Sequence, residues 1–150
     1  MHKDKVMGGA IIGILADAVK LIVNYLLYKL GYTSVVFWQI IATRFLEKEY
    51  LFKPSAYIIG GIADITVTAG LGVLFVYSIQ FIGRNYLIIK GIGYGLIIWV
   101  SLFGTLLGQS VQEKIPQTPS SIFVTIVAHF FFGLSLAVFT HYFYRSKKTF

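Results

Sequence analysis

The chain carries four apolar stretches, at residues 6–30, 55–82, 86–108 and 121–144. Each reaches or exceeds the roughly 20 residues needed to cross the hydrocarbon core of a bilayer. Punctuation separates them: Gly31-Tyr32-Thr33-Ser34 after the first, Gly83-Arg84-Asn85 between the second and third, and residues 112–120, with Pro116 and Pro119, before the fourth. Lipid has to be the solvent for such a chain. With its 15 glycines counted, two thirds of the 150 residues are apolar, where soluble domains run at roughly 45–50%. A soluble domain this small could not bury that much surface. Backbone groups in lipid must find partners within the protein, and the alternating pattern of a barrel is missing. The fold class expected is therefore an all-α integral membrane protein, a bundle of four transmembrane helices forming a single membrane domain.

Residues 34–48 are apolar over a length too short to span. Gln39, Thr43 and Glu47 recur every four residues on one side, with Phe37, Trp38, Ile41 and Phe45 largely opposite. Thr33 or Ser34 can cap the start. The spacing predicts a short amphipathic helix lying in the interface, or dipping into it, between the first and second spans, with a fifth full span as the lesser alternative.

The net charge of +7 does not point to nucleic acid, because most of the 13 Lys and Arg sit at the ends of the spans, where they anchor topology and meet anionic headgroups. Counting by side gives seven (Lys3, Lys5, Arg84, Lys90, Arg145, Lys147, Lys148) against five (Lys29, Arg44, Lys48, Lys53, Lys114). The positive-inside rule then predicts both termini in the cytoplasm. Tyr28, Tyr32, Trp38 and Tyr57 would form the outer aromatic belt, and Tyr77, Tyr86, Tyr142 and Tyr144 the inner one. The first span mimics a signal peptide, with Ala16-Asp17-Ala18 resembling a cleavage site. The charge of Asp17 inside that site argues that the segment is kept.

The informative residues are those a span should not contain. Asp17, Lys20, Asp64 and His129 lie well inside apolar helices, where an ionised group costs at least about 2.5–3.5 kcal/mol. They are expected to face one another or water, either as a mutually neutralising ion network that fixes helix register or as a solute or proton pathway. Asp17 and Lys20 are three apart and share a helix face with Asn24, Gly9 and Gly13. The second span repeats Gly60, Asp64, Thr68 and Gly72 every four residues, and the fourth repeats Ser121, Thr125, His129, Gly133 and Ala137. The third carries Gly91/Gly95 and Gly104/Gly108. Small residues at this spacing let helix backbones approach closely, so each polar group should sit on a packing seam. At 1.5 Å per residue the four ionisable groups come out at similar depths. The expected intramembrane cluster is thus Asp17, Lys20, Asn24, Asp64, Thr68, Thr125 and His129.

Sharper motifs fail. Gly91-Ile92-Gly93-Tyr94-Gly95 resembles a potassium filter, yet it opens an apolar helix and lacks the preceding Thr. As a dinucleotide loop it lacks the preceding strand. His129 and His141 are twelve residues apart, roughly 18 Å along a helix, and cannot share a metal. Without cysteine there is no thiolate site, and no Gly-x-Ser-x-Gly elbow occurs. No metal or cofactor is expected.

Two segments, KGIGYGLIIWVSLF at 90–103 and TIVAHFFFGLSLAVF at 125–139, resemble the small four-span membrane proteins of spore-forming bacteria typified by YqhR. There a glycine-tyrosine-glycine and tryptophan pattern opens the third span, and an aromatic-glycine-leucine pattern marks the fourth. The resemblance implies a bacterial cell-membrane location and brings no activity with it. Asp17, Lys20 and Asp64 fall outside it.

On this reading the chain is a multi-pass, non-enzymatic membrane protein acting through helix association with itself or with a membrane partner. The glycine stripes motivate that expectation. The competing expectation is a small-solute or proton-linked transporter built on Asp17, Lys20, Asp64 and His129.

Overall fold

The computed structural model describes residues 4–145; Lys3, Lys147 and Lys148, three of the charges in the orientation count, lie outside them. Among the described residues there is no strand. Six α-helices follow in order: α1 Lys5–Lys29, α2 Phe37–Ala42, α3 Pro54–Ile82, α4 Leu87–Ser101, α5 Gly108–Lys114 and α6 Pro119–Tyr144. A π-helical turn, Leu102–Leu106, extends α4. Four helices are long and apolar enough to cross a membrane: α1, α3, α6 and the composite Leu87–Leu106. Apolar side chains such as Ile22, Ile58, Ile62, Phe81, Ile97 and Phe123 stand exposed on their outer faces, as a lipid-facing surface requires.

Glycine decides which helices meet. A Cβ on Gly13 would lie 2.1 Å from the Thr68 carbonyl oxygen, and one on Gly72 would lie 2.2 Å from that of Gly9, so α1 and α3 touch backbone to backbone. The same holds between α4 and α6: a Cβ on Gly91 would meet the Gly133 oxygen at 2.4 Å, and one on Gly95 the His129 oxygen at 2.3 Å. Helices α1 and α6 also pack, through Ile12, Ala16, Phe132 and Leu136. The four spans therefore form an arc in the order α3–α1–α6–α4, whose two ends, α3 and α4, meet only slightly. They are joined by a tight turn in which Gly83 and Tyr86 adopt positive φ (78° and 56°). Lys90 closes the end of α3 by donating to the carbonyls of Ile82 and Gly83 at 3.0 and 2.9 Å.

Gly104 and Gly108 are a correction. Nothing lies within 4 Å of a Cβ on Gly104, and one on Gly108 would meet only the Phe103 carbonyl of its own chain turn. The π-turn intervenes there, with the Leu107 N–H donating five residues back to Leu102 at 2.7 Å, so the pair forms no interhelical seam.

The segment after α1 also differs from expectation. Its helix covers Phe37–Ala42 rather than the whole of 34–48, begins from Val36 rather than Thr33 or Ser34, and turns its polar side inward. Gln39 and Thr43 are buried, as are Val35, Phe37, Ile40 and Ala42. Gln39 accepts from the Val36 N–H at 2.9 Å and donates to the Leu51 carbonyl at 3.0 Å. Thr43 shares a 3.1 Å hydrogen bond with Ser110 of α5. Lys114 donates to the carbonyls of Thr43 and Leu46 at 2.7 and 2.9 Å. Residues 33–53 thus make a cap, with Val35, Ile40 and Leu51 sharing an apolar core with Leu107, Val111 and Ile115 in and beside α5, over the end of the arc remote from the termini. The cap packs directly on α3: a Cβ on Gly60, six residues into that helix, would meet the Trp38 carbonyl oxygen at 2.0 Å.

Gly133→Leu should therefore cost about 1–3 kcal/mol by forcing α4 off α6, whereas Gly104→Leu should be neutral. Thermal unfolding of both variants in lipid nanodiscs checks this, and equal losses would contradict the assignment of seams.

Candidate functional site

The α1–α3 glycine seam brings the carboxylates of two helices to one amine. Lys20 Nζ lies 2.7 Å from Asp17 Oδ1 on its own helix and 2.7 Å from Asp64 Oδ1 on α3. All three residues are at most 3% exposed. The contact with Asp64 is a directed hydrogen bond, while that with Asp17 is an ion contact without hydrogen-bond geometry. The cap supplies the remaining partners. Trp38 Nε1 donates to Asp64 Oδ2 at 3.2 Å, and the Phe37 ring sits 4.0 Å from the ammonium. A second ring, Phe132 of α6, lies 5.7 Å away. An ammonium removed from water is held here by two charges and two aromatic faces. Asn24, one turn further along α1, accepts from the Phe37 N–H at 2.8 Å and so fixes the first peptide of α2.

The other expected members are near the triad but bonded elsewhere. Thr68 donates to the Asp64 carbonyl of its own helix at 2.8 Å. Thr125 donates to the Ile122 carbonyl at 2.6 Å and accepts from Trp99 Nε1 at 2.9 Å. His129 Nδ1 is 2.8 Å from the Thr125 carbonyl, which can only accept, so Nδ1 donates to it. The His129 ring lies between Phe37 and Phe103, with centroids at 5.6 and 5.7 Å, and makes no ion pair with either acid. The cluster is therefore a triad, Asp17–Lys20–Asp64, with a separate aromatic-caged imidazole. Trp38, Phe37 and Phe103 are the residues the sequence did not point to. Trp38 has the composition of a belt residue, yet its partly buried indole N–H finds an acceptor in Asp64.

On its concave side the arc leaves a cavity of about 200 Å³. Lys20, Asp64, Thr68, His129 and Phe132 line its inner wall, with Ala63 and Val67 of α3 facing Ile98 and Leu102 of the third span. Val67 is 46% exposed, which sets the mouth on the flank between α3 and α4, toward lipid. Toward the termini the space is crossed by Tyr94, whose hydroxyl donates to the Leu71 carbonyl at 2.9 Å and whose ring packs on Phe75 at 5.2 Å. Among the described residues no three His, Cys, Asp or Glu are placed to hold a metal ion.

No protein-family model, no curated protein and no solved structure matches this chain. Its site is read from its own geometry.

Lys20→Met should cost about 3–5 kcal/mol, because it leaves two carboxylates buried without a counter-charge. Adding Asp17→Asn and Asp64→Asn should recover most of that loss. Unfolding by SDS titration measures both, and a triple variant no more stable than the single one would show that the triad is not the determinant.

Proposed function

We propose that this chain is a non-enzymatic, multi-pass membrane protein that binds a small membrane-borne molecule in the crevice beneath its cap. The observation that carries this reading is the crevice itself: one lipid-facing cavity, walled by apolar side chains, reaches Lys20, Asp64 and His129. Ligand sites are concave, mostly apolar and supplied with a few convergent polar groups, and this cavity has that make-up. The arc supports it as well, since adjacent helices α3 and α4 stay apart where close packing would have filled the space.

Association with a partner is less well supported than the glycine content suggested. Gly9, Gly13, Gly72, Gly91, Gly95 and Gly133 are occupied by α1–α3 and α4–α6 contacts, and Gly60 by the cap. A proton path draws no support from His129, which bonds to its own helix, nor from the Tyr94 closure toward the termini. The charges of the triad serve instead to hold the cap over the crevice. The likeness of residues 90–103 and 125–139 to YqhR-type proteins favours a bacterial cell membrane as the location, and the charge count favours cytoplasmic termini.

A brominated medium-chain alcohol tests the reading in a Phe45→Trp background, which places a tryptophan on the crevice wall of every protein compared, since bromine quenches tryptophan on contact. Titrated into nanodiscs, it should quench the Phe45→Trp protein saturably, and adding Ala63→Phe, which fills the crevice, should leave only the linear response of partitioning into lipid. Identical curves for the two proteins would reject the crevice as a binding site.

A further inference from the structure

The crevice does not end in lipid at its cap side. Arg44 and Leu106 line it and also line a second, polar cavity of about 270 Å³, which adds Thr43, Thr105, Gln109, Ser110, Glu113 and Lys114. An apolar slot and a polar chamber thus share a wall at Arg44 and Leu106. Arg44 is exposed and takes part in neither ion pair found among the described residues. The other charges facing the chamber are occupied: Lys114 by the carbonyls of Thr43 and Leu46, and Glu113 by Gln109 at 3.2 Å. With two cations and one carboxylate, the chamber carries a formal charge of +1.

We infer that the ligand is a single-chain fatty acid, its carboxylate on Arg44 and its alkyl chain in the crevice against Val67, Ile98 and Leu102. This rests on the crevice reading and names its ligand class. A guanidinium presents paired donors that match one carboxylate. The crevice extends along the third span from Leu107 to Ile98, roughly 13 Å at helical rise. At about 200 Å³ it falls below the roughly 300 Å³ where drug-sized pockets begin, which suits one alkyl chain and not two. Glu113, on the wall of the same chamber, opposes a doubly charged phosphate head more than a singly charged carboxylate.

The test compares three brominated probes of equal chain length: the fatty acid, the alcohol and the alkyl phosphate. Each is titrated into nanodiscs of zwitterionic lipid, at a pH where the acid is ionised, with tryptophan quenching in the Phe45→Trp background as the readout. With Arg44 in place, the protein should bind the acid roughly tenfold or more tighter than the alcohol, the range of a charge-assisted hydrogen-bond pair. Arg44→Gln, an exposed position whose change should leave the fold intact, should abolish that preference, bringing the acid and the alcohol to the same affinity. Arg44→Lys should restore part of it. Saturable binding of acid and alcohol with equal affinity would overturn the carboxylate assignment and leave the crevice reading standing. Tighter binding of the phosphate would overturn it in favour of a different head group. If none of the three saturates, the crevice reading fails and the fatty-acid assignment fails with it.

Discussion

The structure depends on the cost of keeping one ammonium away from water. Lys20 sits inside a transmembrane helix, where neither lipid nor bulk solvent can stabilise its charge. It reaches Asp17 without help, three residues back on α1. Asp64 reaches it only because Gly13 and Gly72 let α1 and α3 come into backbone contact. The second oxygen of Asp64 then requires a donor, which is the Trp38 indole, and the exposed side of the ammonium takes the Phe37 ring. The cap packs on α1 and α3 through residues that complete this charge site. The outer half of the same segment is tied to α5 and the turn before it, through a shared apolar core and the Lys114 bridges to Thr43 and Leu46.

The open flank follows from the same economy of contacts. Glycine seams pair α1 with α3 and α4 with α6, and α1 joins α6 through side chains, so α3 and α4 are left as the ends of an arc. The π-turn at Leu102–Leu106 and the cap frame the gap between them at one end, and Tyr94 closes it at the other. What remains is an apolar slot with charged groups at its edges. That combination fits a molecule drawn from the bilayer better than a water-soluble one.

The spans were legible because length and hydropathy are enforced by the bilayer, and the four helices end within two residues of the positions expected. The meeting of Asp17, Lys20 and Asp64 was legible too, since helical spacing sets which residues share a face and burial in lipid demands a partner. Gly9, Gly13, Gly72, Gly91, Gly95 and Gly133 lie on seams as their spacing implied. Spacing could not show that Gly104 and Gly108 fall where the helix becomes π-helical, because that departure depends on tertiary context. Nor could it show which way the cap faces. A four-residue recurrence of Gln39 and Thr43 reads as a wet face, yet both groups are spent on buried backbone and side-chain partners. His129 shared the expected depth but bonded to the carbonyl four residues earlier, an option open to any helical histidine and invisible to periodicity.

The central claim, that the ion triad holds the cap down, is tested most directly by cysteine accessibility, for which a chain without native cysteine is well suited. Ala42, on the cap, is fully buried, whereas Arg44, two residues on, is exposed. In nanodiscs, a membrane-impermeant maleimide should label Arg44→Cys rapidly and Ala42→Cys hardly at all, until Lys20→Met is added and Ala42→Cys becomes reactive. Rapid labelling of Ala42→Cys in the presence of Lys20 would contradict a seated cap, and continued protection without Lys20 would show that something other than the triad holds it.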